Sequence, residues 1–472
     1  MADHQQPNLL LIWTDEQRAD TMACYGNSYI QAPNLDRFAA GAFVFEHAYC
    51  TQPVCTPSRA SILTGLWPHT HGCIQNNTPL PEEHPTLAEM LGSSAGGDAY
   101  HCAYYGKWHL GDEIVAQRGF EEWLSIEDDI YRPYYSRPEY LERRSDYHHY
   151  LVRQGYEPNA TAKDGARVFS RDFAAQLPVE HNKAAYLGRE AARFIREQPR
   201  DRPWVLSVNF LEPHMPFTGP LDDLHDPSQV PVGPAFGVAP ATNVARKKQQ
   251  NAARFRENGF GGLPLKTETD WRLLRARYYG LVTLVDRAVS EILEALEVSG
   301  QAENTVVAYT SDHGEMMGDH ACLTKGITYE EAIRIPLLIR VPWLSQAQTR
   351  IPGRVSLVDL APTLLELLGQ APPSHVQGVS RAGVLKGTDS LAGNDAIVEW
   401  NGEEPWRTIL SRENYKLNLC ATDQSEFYDL NRDPHELENR FQDPAYRPQI
   451  KELAARIRAW QQQTGDTAAV SG

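Results

Sequence analysis

The sequence predicts an α/β protein: a large, doubly wound mixed sheet flanked by helices, followed by a smaller C-terminal antiparallel sheet with a helix. Three observations predict it. Apolar runs of strand length recur along the chain and end in charged residues, as strands buried on both faces of a sheet do. Segments with helical spacing of apolar residues lie between them. Beyond Ala371-Pro372-Pro373-Ser374, a composition break that reads as a linker, four short strand-like segments follow one another. The chain is therefore expected to divide into an α/β domain over residues 1–371 and an α+β subdomain over 372–472.

Taken in order, Pro7-Asn8-Leu9-Leu10-Leu11-Ile12-Trp13 reads as a buried strand, with Thr14-Asp15-Glu16-Gln17-Arg18 just past its carboxyl end. Open α/β sheets place ligands there, and Asp15 and Glu16 are either oxygen ligands for a hard divalent cation or a turn or helix cap. Residues 33–41 read as a helix closed by Gly41, and Phe43-Val44-Phe45 as the next strand. His69 and His71 alternate as metal ligands can, but without a third partner nearby they read as surface or structural histidines, ahead of a polar loop at Gln75-Asn76-Asn77-Thr78-Pro79. His101-Cys102-Ala103-Tyr104-Tyr105 is a strand, followed by Gly106-Lys107-Trp108-His109-Leu110-Gly111. Lys107 and His109, two apart at a strand end, point to the same side and suit the clamping of an anionic oxygen and the shuttling of a proton. Residues 126–160, rich in Tyr and Arg with no clean period, read as an insertion, either a pocket wall or a surface excursion.

Pro203 to Phe210 is a strand whose exit carries His214 between Pro213 and Pro216, a rigid setting for a catalytic group. Residues 218–265, rich in Pro, Gly and Asn, read as a long loop and a candidate lid. Trp271 to Leu296 has helical periodicity; Asn304 to Ser311 is a strand delivering Asp312-His313-Gly314-Glu315, which mirrors Asp15. Leu337 to Val341 is a strand and Leu357 to Leu368 an amphipathic helix. The four C-terminal strands fall at 396–400, 406–410, 415–419 and 426–430, and a helix from about Pro448 to Gln462 closes the chain.

One stretch organises these parts. In Cys55-Thr56-Pro57-Ser58-Arg59-Ala60-Ser61-Ile62-Leu63-Thr64-Gly65, Pro57 suits a first helical turn and Gly65 a helix end. Cys55 would sit at the positive end of a short helix, where free N–H groups favour an anion and make a thiol reactive. Cys-x-Pro-Ser-Arg followed by Leu-Thr-Gly resembles the signature of the type I (formylglycine-dependent) sulfatases of the alkaline-phosphatase-like superfamily, and Gly106 to Gly111 is similar to a second motif of that family. The resemblance runs from Asn8 to about Asn439.

The resemblance implies an alkaline-phosphatase-like fold and a sulfuric ester hydrolase. It implies that Cys55 is oxidised to formylglycine by a formylglycine-generating enzyme, and that the hydrated aldehyde, a gem-diol, attacks the sulfur of a sulfate ester; its second hydroxyl then expels inorganic sulfate. It assigns metal binding to Asp15, Asp312 and His313 around residue 55, while Glu16 departs from the family's second aspartate. It assigns catalytic roles to Arg59, which would orient the diol, to Lys107 and His109, to His214, and to Lys325, which would hold the sulfate oxygens. Calcium is the implied ion, with manganese and magnesium as alternatives. The substrate would be a small-molecule or saccharide sulfate ester. Gln75-Asn76-Asn77-Thr78-Pro79-Leu80 also resembles a segment of the phosphonate monoester hydrolases, so Asn76 is a candidate substrate-binding residue, and phosphonate monoester or phosphodiester hydrolysis by the same chemistry is the alternative. A binding module that has lost catalysis would show a broken constellation, and no expected position is empty. A phosphatase using the unmodified thiol needs five residues between Cys and Arg, whereas Cys55 and Arg59 are separated by Thr56, Pro57 and Ser58.

Composition agrees with this class. A chain of 472 residues with 42% hydrophobic content can bury a large core. A net charge of −16, from 45 basic and 61 acidic residues, without long basic runs, argues against nucleic acid or an anionic membrane as partner; a small anionic substrate answers to the local field instead. Met1 to Pro7 is short and polar and precedes no signal-peptide core, so a cytoplasmic location is expected. Seven cysteines, odd in number and without a C-x-x-C pair, fit reduced thiols.

Overall fold

The computed structural model describes residues 6–92, 100–344 and 347–470; of the segment Met1–Pro7, the first five residues lie outside these. The main strands are β1 (Asn8–Asp15), β2 (Phe43–Tyr49), β3 (His101–Gly106), β4 (Glu122–Leu124), β5 (Trp204–Pro213), β6 (Thr305–Ser311), β7 (Leu337–Arg340) and β8 (Thr349–Ser356). They form one sheet in the order β8-β2-β7-β6-β1-β5-β3-β4, with the short Arg334–Ile335 segment pairing with β2. β6, β1, β5, β3 and β4 run parallel, and β7 runs antiparallel to β2 and β6, so the sheet is mixed.

β1 shows how both faces are covered. Leu10 and Ile12 enter one core, and Leu9, Leu11 and Trp13 enter the other, as the period of two requires. The helices in chain order are α1 (Pro33–Ala39), α2 (Cys55–Thr64), α3 (Asp146–Arg153), α4 (Lys183–Glu197), α5 (Arg246–Asn258), α6 (Glu268–Val298), α7 (Leu360–Leu367) and α8 (Arg447–Thr464). α4 and α6 fill the first face; α2 and α7 fill the second. α6 starts at a reciprocal cap between Thr267 and Asp270. α1 ends at Ala39, short of the Gly41 expected to close it.

One expectation needs correction. The segment 218–265 is not a continuous loop, because α5 lies inside it. α5 is mostly polar and buries only Lys248, Ala252 and Phe255, at helical spacing, so composition hid it. Residues 126–160 contain α3, capped by the Ser145 hydroxyl, which accepts from the His148 N–H at 3.1 Å.

The C-terminal strands β9 (Ala396–Trp400), β10 (Trp406–Leu410), β11 (Tyr415–Cys420) and β12 (Glu426–Asp429) form an antiparallel sheet in chain order. α8 packs Ile450, Leu453, Ala454 and Ile457 onto Ile409, Leu417, Leu419 and Phe427 of that sheet. Among the described residues no helix is long and apolar enough to cross a membrane. All seven cysteines are buried and free.

Candidate active site

The parallel strands β6, β1, β5 and β3 are neighbours, so their carboxyl ends open on one rim of the sheet. Thr14 faces Ser311, and the Asp312 N–H donates to the Thr14 carbonyl at 3.2 Å, which sets Asp15 beside Asp312. Gly106, at φ +113°, ends β3 against β5; a Cβ there would lie 2.0 Å from the Asn209 carbonyl oxygen. Only glycine permits that approach, and it delivers Lys107 to the rim. His214 follows β5 between the cis bonds Glu212–Pro213 and Met215–Pro216.

α2 brings residue 55 to the same rim. Every residue of α2 is buried, and Gly65 ends it in the left-handed conformation. The Thr56 N–H in its first turn donates to Asn76 Oδ1 at 3.1 Å, and the Ser58 hydroxyl donates to the Asp312 carbonyl at 2.5 Å. Arg59, one turn after Cys55, is fully buried over the Trp13 ring. Its Nε donates to Asp312 Oδ2 at 2.9 Å, one terminal nitrogen to Asp15 Oδ2 at 3.1 Å and the other to the Lys107 carbonyl at 2.7 Å. Three of its five N–H groups are thus taken by the two carboxylates and a carbonyl, so Arg59 positions the acidic residues.

Asp15, Cys55, Asp312 and His313 each offer one donor atom, and the four atoms lie within 4.8 Å of one another. His313 Nε2 is 3.3 Å from Cys55 Sγ, 3.6 Å from Asp312 Oδ1 and 3.8 Å from Asp15 Oδ1. Its Nδ1 lies 2.9 Å from the Gly314 carbonyl, which can only accept; Nε2 is thus the nitrogen aimed at the cluster. Asp15, Glu16 and His214 form a second such group, and Glu16 Oε1 is buried with no hydrogen-bond partner. Two aspartates, an imidazole and an unpaired carboxylate oxygen fit a divalent cation of the oxygen-preferring kind.

Electrostatics follow from burial and crowding. Burial opposes ionisation of Asp15, but the cations Lys107, Arg59 and Lys325 outweigh it and hold the carboxyl well below its ordinary value. Burial drives Glu16 well above its own, against Lys325 and with Glu315 adding to the rise. His313 is pushed up to about 9, because Asp312 and Cys55 overcome a burial that disfavours charge. Lys107 and Lys325 are likewise raised: burial works against their charge, and Asp15 and Cys55 overcome it for Lys107, Cys55 and Glu16 for Lys325. Lys107 Nζ is bonded to Asp15 Oδ2, and Lys325 Nζ to Glu16 Oε2 at 2.7 Å. His214 and His109 are held well below the usual histidine value, chiefly by burial and then by Lys325 and Lys107 respectively. Both are therefore neutral imidazoles. His214 Nδ1 donates to the Met215 carbonyl at 2.8 Å, leaving Nε2 facing Glu16 Oε2 at 3.4 Å.

Lys107 and His109 remain near neighbours with different partners. Lys107 turns to Asp15, whereas His109, at φ +59°, bonds Asn77 Oδ1 through Nε2 at 2.9 Å. Asn77, not Asn76, meets this histidine; Asn76 is exposed, and its carbonyl oxygen holds the first turn of α2. Glu113 went unread in the sequence: its two oxygens accept from the Trp108 and His109 N–H groups at 2.7 and 2.9 Å and hold the left-handed turn. No motif marked it. From the segment 126–160, Tyr131 lies 4.7 Å from the His109 ring and accepts from Arg171 at 2.9 Å. His69 and His71 lie outside the cluster: His69 bonds Glu399 at 2.7 Å and His71 contacts Ser61 Oγ at 3.2 Å, both structural.

The family model described as "Sulfatase" matches residues 7–370, and that described as "N-sulphoglucosamine sulphohydrolase, C-terminal" matches residues 318–463. The chain is 27% identical to an arylsulfatase of Clostridium perfringens, over 95% of this chain and 93% of that one. It is 28% identical to an N-acetylglucosamine-6-O-sulfatase of Bacteroides thetaiotaomicron, over 98% and 87%. The phosphonate monoester hydrolase of Agrobacterium radiobacter shares the fold, with a TM-score of 0.80, 24% identity and coverage of 97% and 96%. With the family model spanning most of its length, the chain belongs to the sulfatase family and is a sulfuric ester hydrolase.

Proposed function

We propose that this protein hydrolyses the sulfate ester of an aryl or carbohydrate alcohol to the alcohol and inorganic sulfate, using formylglycine made from Cys55 and a divalent metal. Calcium is the ion of choice, with manganese and magnesium as alternatives. The observation that carries this reading is the meeting of Asp15, Cys55, Asp312 and His313 at the head of α2. Asp15, Asp312 and His313, with Glu16 beside them, would hold the ion. When bound, the ion supplies a Lewis acid for the sulfate oxygens and the hydrated aldehyde supplies the nucleophilic oxygen.

The chain's own residues do the rest. Residue 55 is 1% exposed, which keeps bulk water from the reacting centre. The ammonium groups of Lys107 and Lys325 stand where negative charge builds on the sulfuryl oxygens. His214 or Lys325 would support departure of the alcohol: Lys325 keeps its proton at Nζ and would stabilise the developing charge, whereas neutral His214 would exchange a proton at Nε2 beside it. Arg59 fixes the two aspartates.

Conversion of Cys55 requires a formylglycine-generating enzyme as maturation partner. Mass spectrometry of the Cys55 peptide, read alongside sulfate release from p-nitrophenyl sulfate, tests the reading; active protein with an unmodified thiol overturns it. The phosphonate monoester or phosphodiester alternative draws support from His313 in the cluster and from the Asn76-Asn77 loop at the rim. Faster turnover of an aryl phosphonate monoester than of the matched aryl sulfate would decide for it.

A further inference from the structure

The site opens at Lys325, whose side chain is 13% exposed while those of Asp15, Glu16, Arg59, Asp312 and His313 are at 0%. Gly326 follows at φ +85°, its N–H donating to the carbonyl of Pro53, two residues before Cys55, at 3.0 Å. A Cβ on Gly326 would lie 3.4 Å from Lys247 Nζ and 3.7 Å from Trp400 Cη2. Lys247, in the first turn of α5, thus reaches the opening, and its ammonium sits 2.9 Å from the centroid of the Trp400 ring. Trp400 ends β9, and Asn401 after it donates to Gln52 at 2.8 Å; Gln52 in turn donates to the Ile74 carbonyl at 2.8 Å, beside the loop that carries Asn76 and Asn77. Lys247 is therefore on the rim and not on a remote surface.

Its neighbours differ from it. Arg246 pairs with Glu404 and Asp423, and Lys248 pairs with Glu426 at 2.5 Å. Among the described residues Lys247 has no carboxylate partner, only the aromatic face. Burial brings its pKa down to about 7, so without a counter-ion its proton is loosely held at neutral pH, and an anion seated beside it would fix the charge. An aromatic ring fixes such a cation in place but does not neutralise it.

We propose that Lys247, seated on Trp400 beside Gly326, is a substrate-binding residue for a second negatively charged group on the alcohol part of the ester. The preferred substrates are sulfate esters that carry a further sulfate or carboxylate on the leaving group. The inference rests on the sulfatase reading of the neighbouring site and adds the class of alcohol. Charge is what selects here, because the local cations Lys325 and Lys247 act on the substrate at close range despite the acidic whole.

The test uses full-length protein converted at Cys55 and matched pairs of esters: p-nitrophenyl sulfate with and without a ring carboxylate, and galactose monosulfates with the corresponding disulfates. Wild type is expected to favour the more charged member of a pair by about tenfold in kcat/KM, the value of one charge-assisted contact. Lys247→Met keeps the apolar stem over Trp400 and removes the charge. It is expected to bring that ratio close to one, with Lys247→Arg restoring most of it. A purely structural lysine would lower both members of each pair alike. A wild type active on p-nitrophenyl sulfate without the preference, or the same ratio in Lys247→Met, overturns this inference alone. A converted wild type inactive on every sulfate ester overturns the sulfatase reading and this inference with it.

Discussion

Arg59 holds together two carboxylates that would otherwise repel each other in a water-free place. Its bonds to Asp15 and Asp312, all at 0% exposure, make it their counter-ion, a part that the proposed metal would share. Arg59→Met is therefore expected to cost about 3–5 kcal/mol in the metal-free protein, the value of breaking a buried pair, and clearly less with calcium present. Urea unfolding with and without calcium measures it; equal losses under both conditions would rule the account out. Glu113 gives a second prediction at this scale. Burial lifts its pKa to about 7 from an ordinary 4.5, although the Trp108 and His109 N–H bonds pull the other way. The folded chain then keeps a proton that the unfolded chain loses, so this group favours folding most below about 4.5, and that help is lost as pH rises through about 7. Glu113→Gln cannot titrate, and its amide oxygen keeps only one of the two N–H bonds. Melting temperatures should show a flatter dependence between pH 5 and 8 than in the parent, and activity should fall several-fold as the turn bearing His109 loosens.

Among the elements, α2 is held at its head by Asn76 from another loop. A residue that positions the turn should act on the chemical step and not on binding. Asn76→Ala is expected to cost about 1 kcal/mol of stability, the usual value of a lost cap, and to lower kcat with little change in KM. A rise in KM alone would return Asn76 to the substrate-binding role the sequence implied. The elements also show what could be read in advance. β1, β3, β5 and β6 were legible because strands buried on both faces are continuous apolar runs, and their exits carried Asp15, Lys107, His214 and Asp312 in plain view. α5 was not legible, since three buried residues in thirteen leave no apolar stripe. α4 also escaped the reading, although Ala184, Leu187, Ala191, Phe194 and Ile195 carry helical spacing. The division of labour between Lys107 and His109, and the contact of Asn77 with His109, depend on the left-handed turn at His109, which residue types alone do not announce.

At the scale of the whole molecule, buried charge joins the C-terminal sheet to the rest of the chain. Lys248 on α5 meets Glu426 on β12, with both side chains at 0% exposure. Lys416 on β11 meets Glu436 and lies 3.7 Å from Glu330, and Glu436 in turn accepts from the Glu330 N–H at 2.7 Å. Deleting residues 372–472 would remove the Glu426 partner of Lys248, bare the surface that packs against the C-terminal sheet and strip the rim of Trp400. The apolar contacts that go with it, those of Val398 and Leu410 among them, draw on a stability margin of only about 5–15 kcal/mol in a typical domain. The full chain is expected to unfold in one calorimetric transition, and the 1–371 fragment to be insoluble or to lack a cooperative transition. Two separated transitions, or a fragment that melts cooperatively by itself, would show that the two sheets are independent units. The Trp400 rim would then be a surface that can move away from Lys325, and the second-anion site would exist only while the sheets are docked.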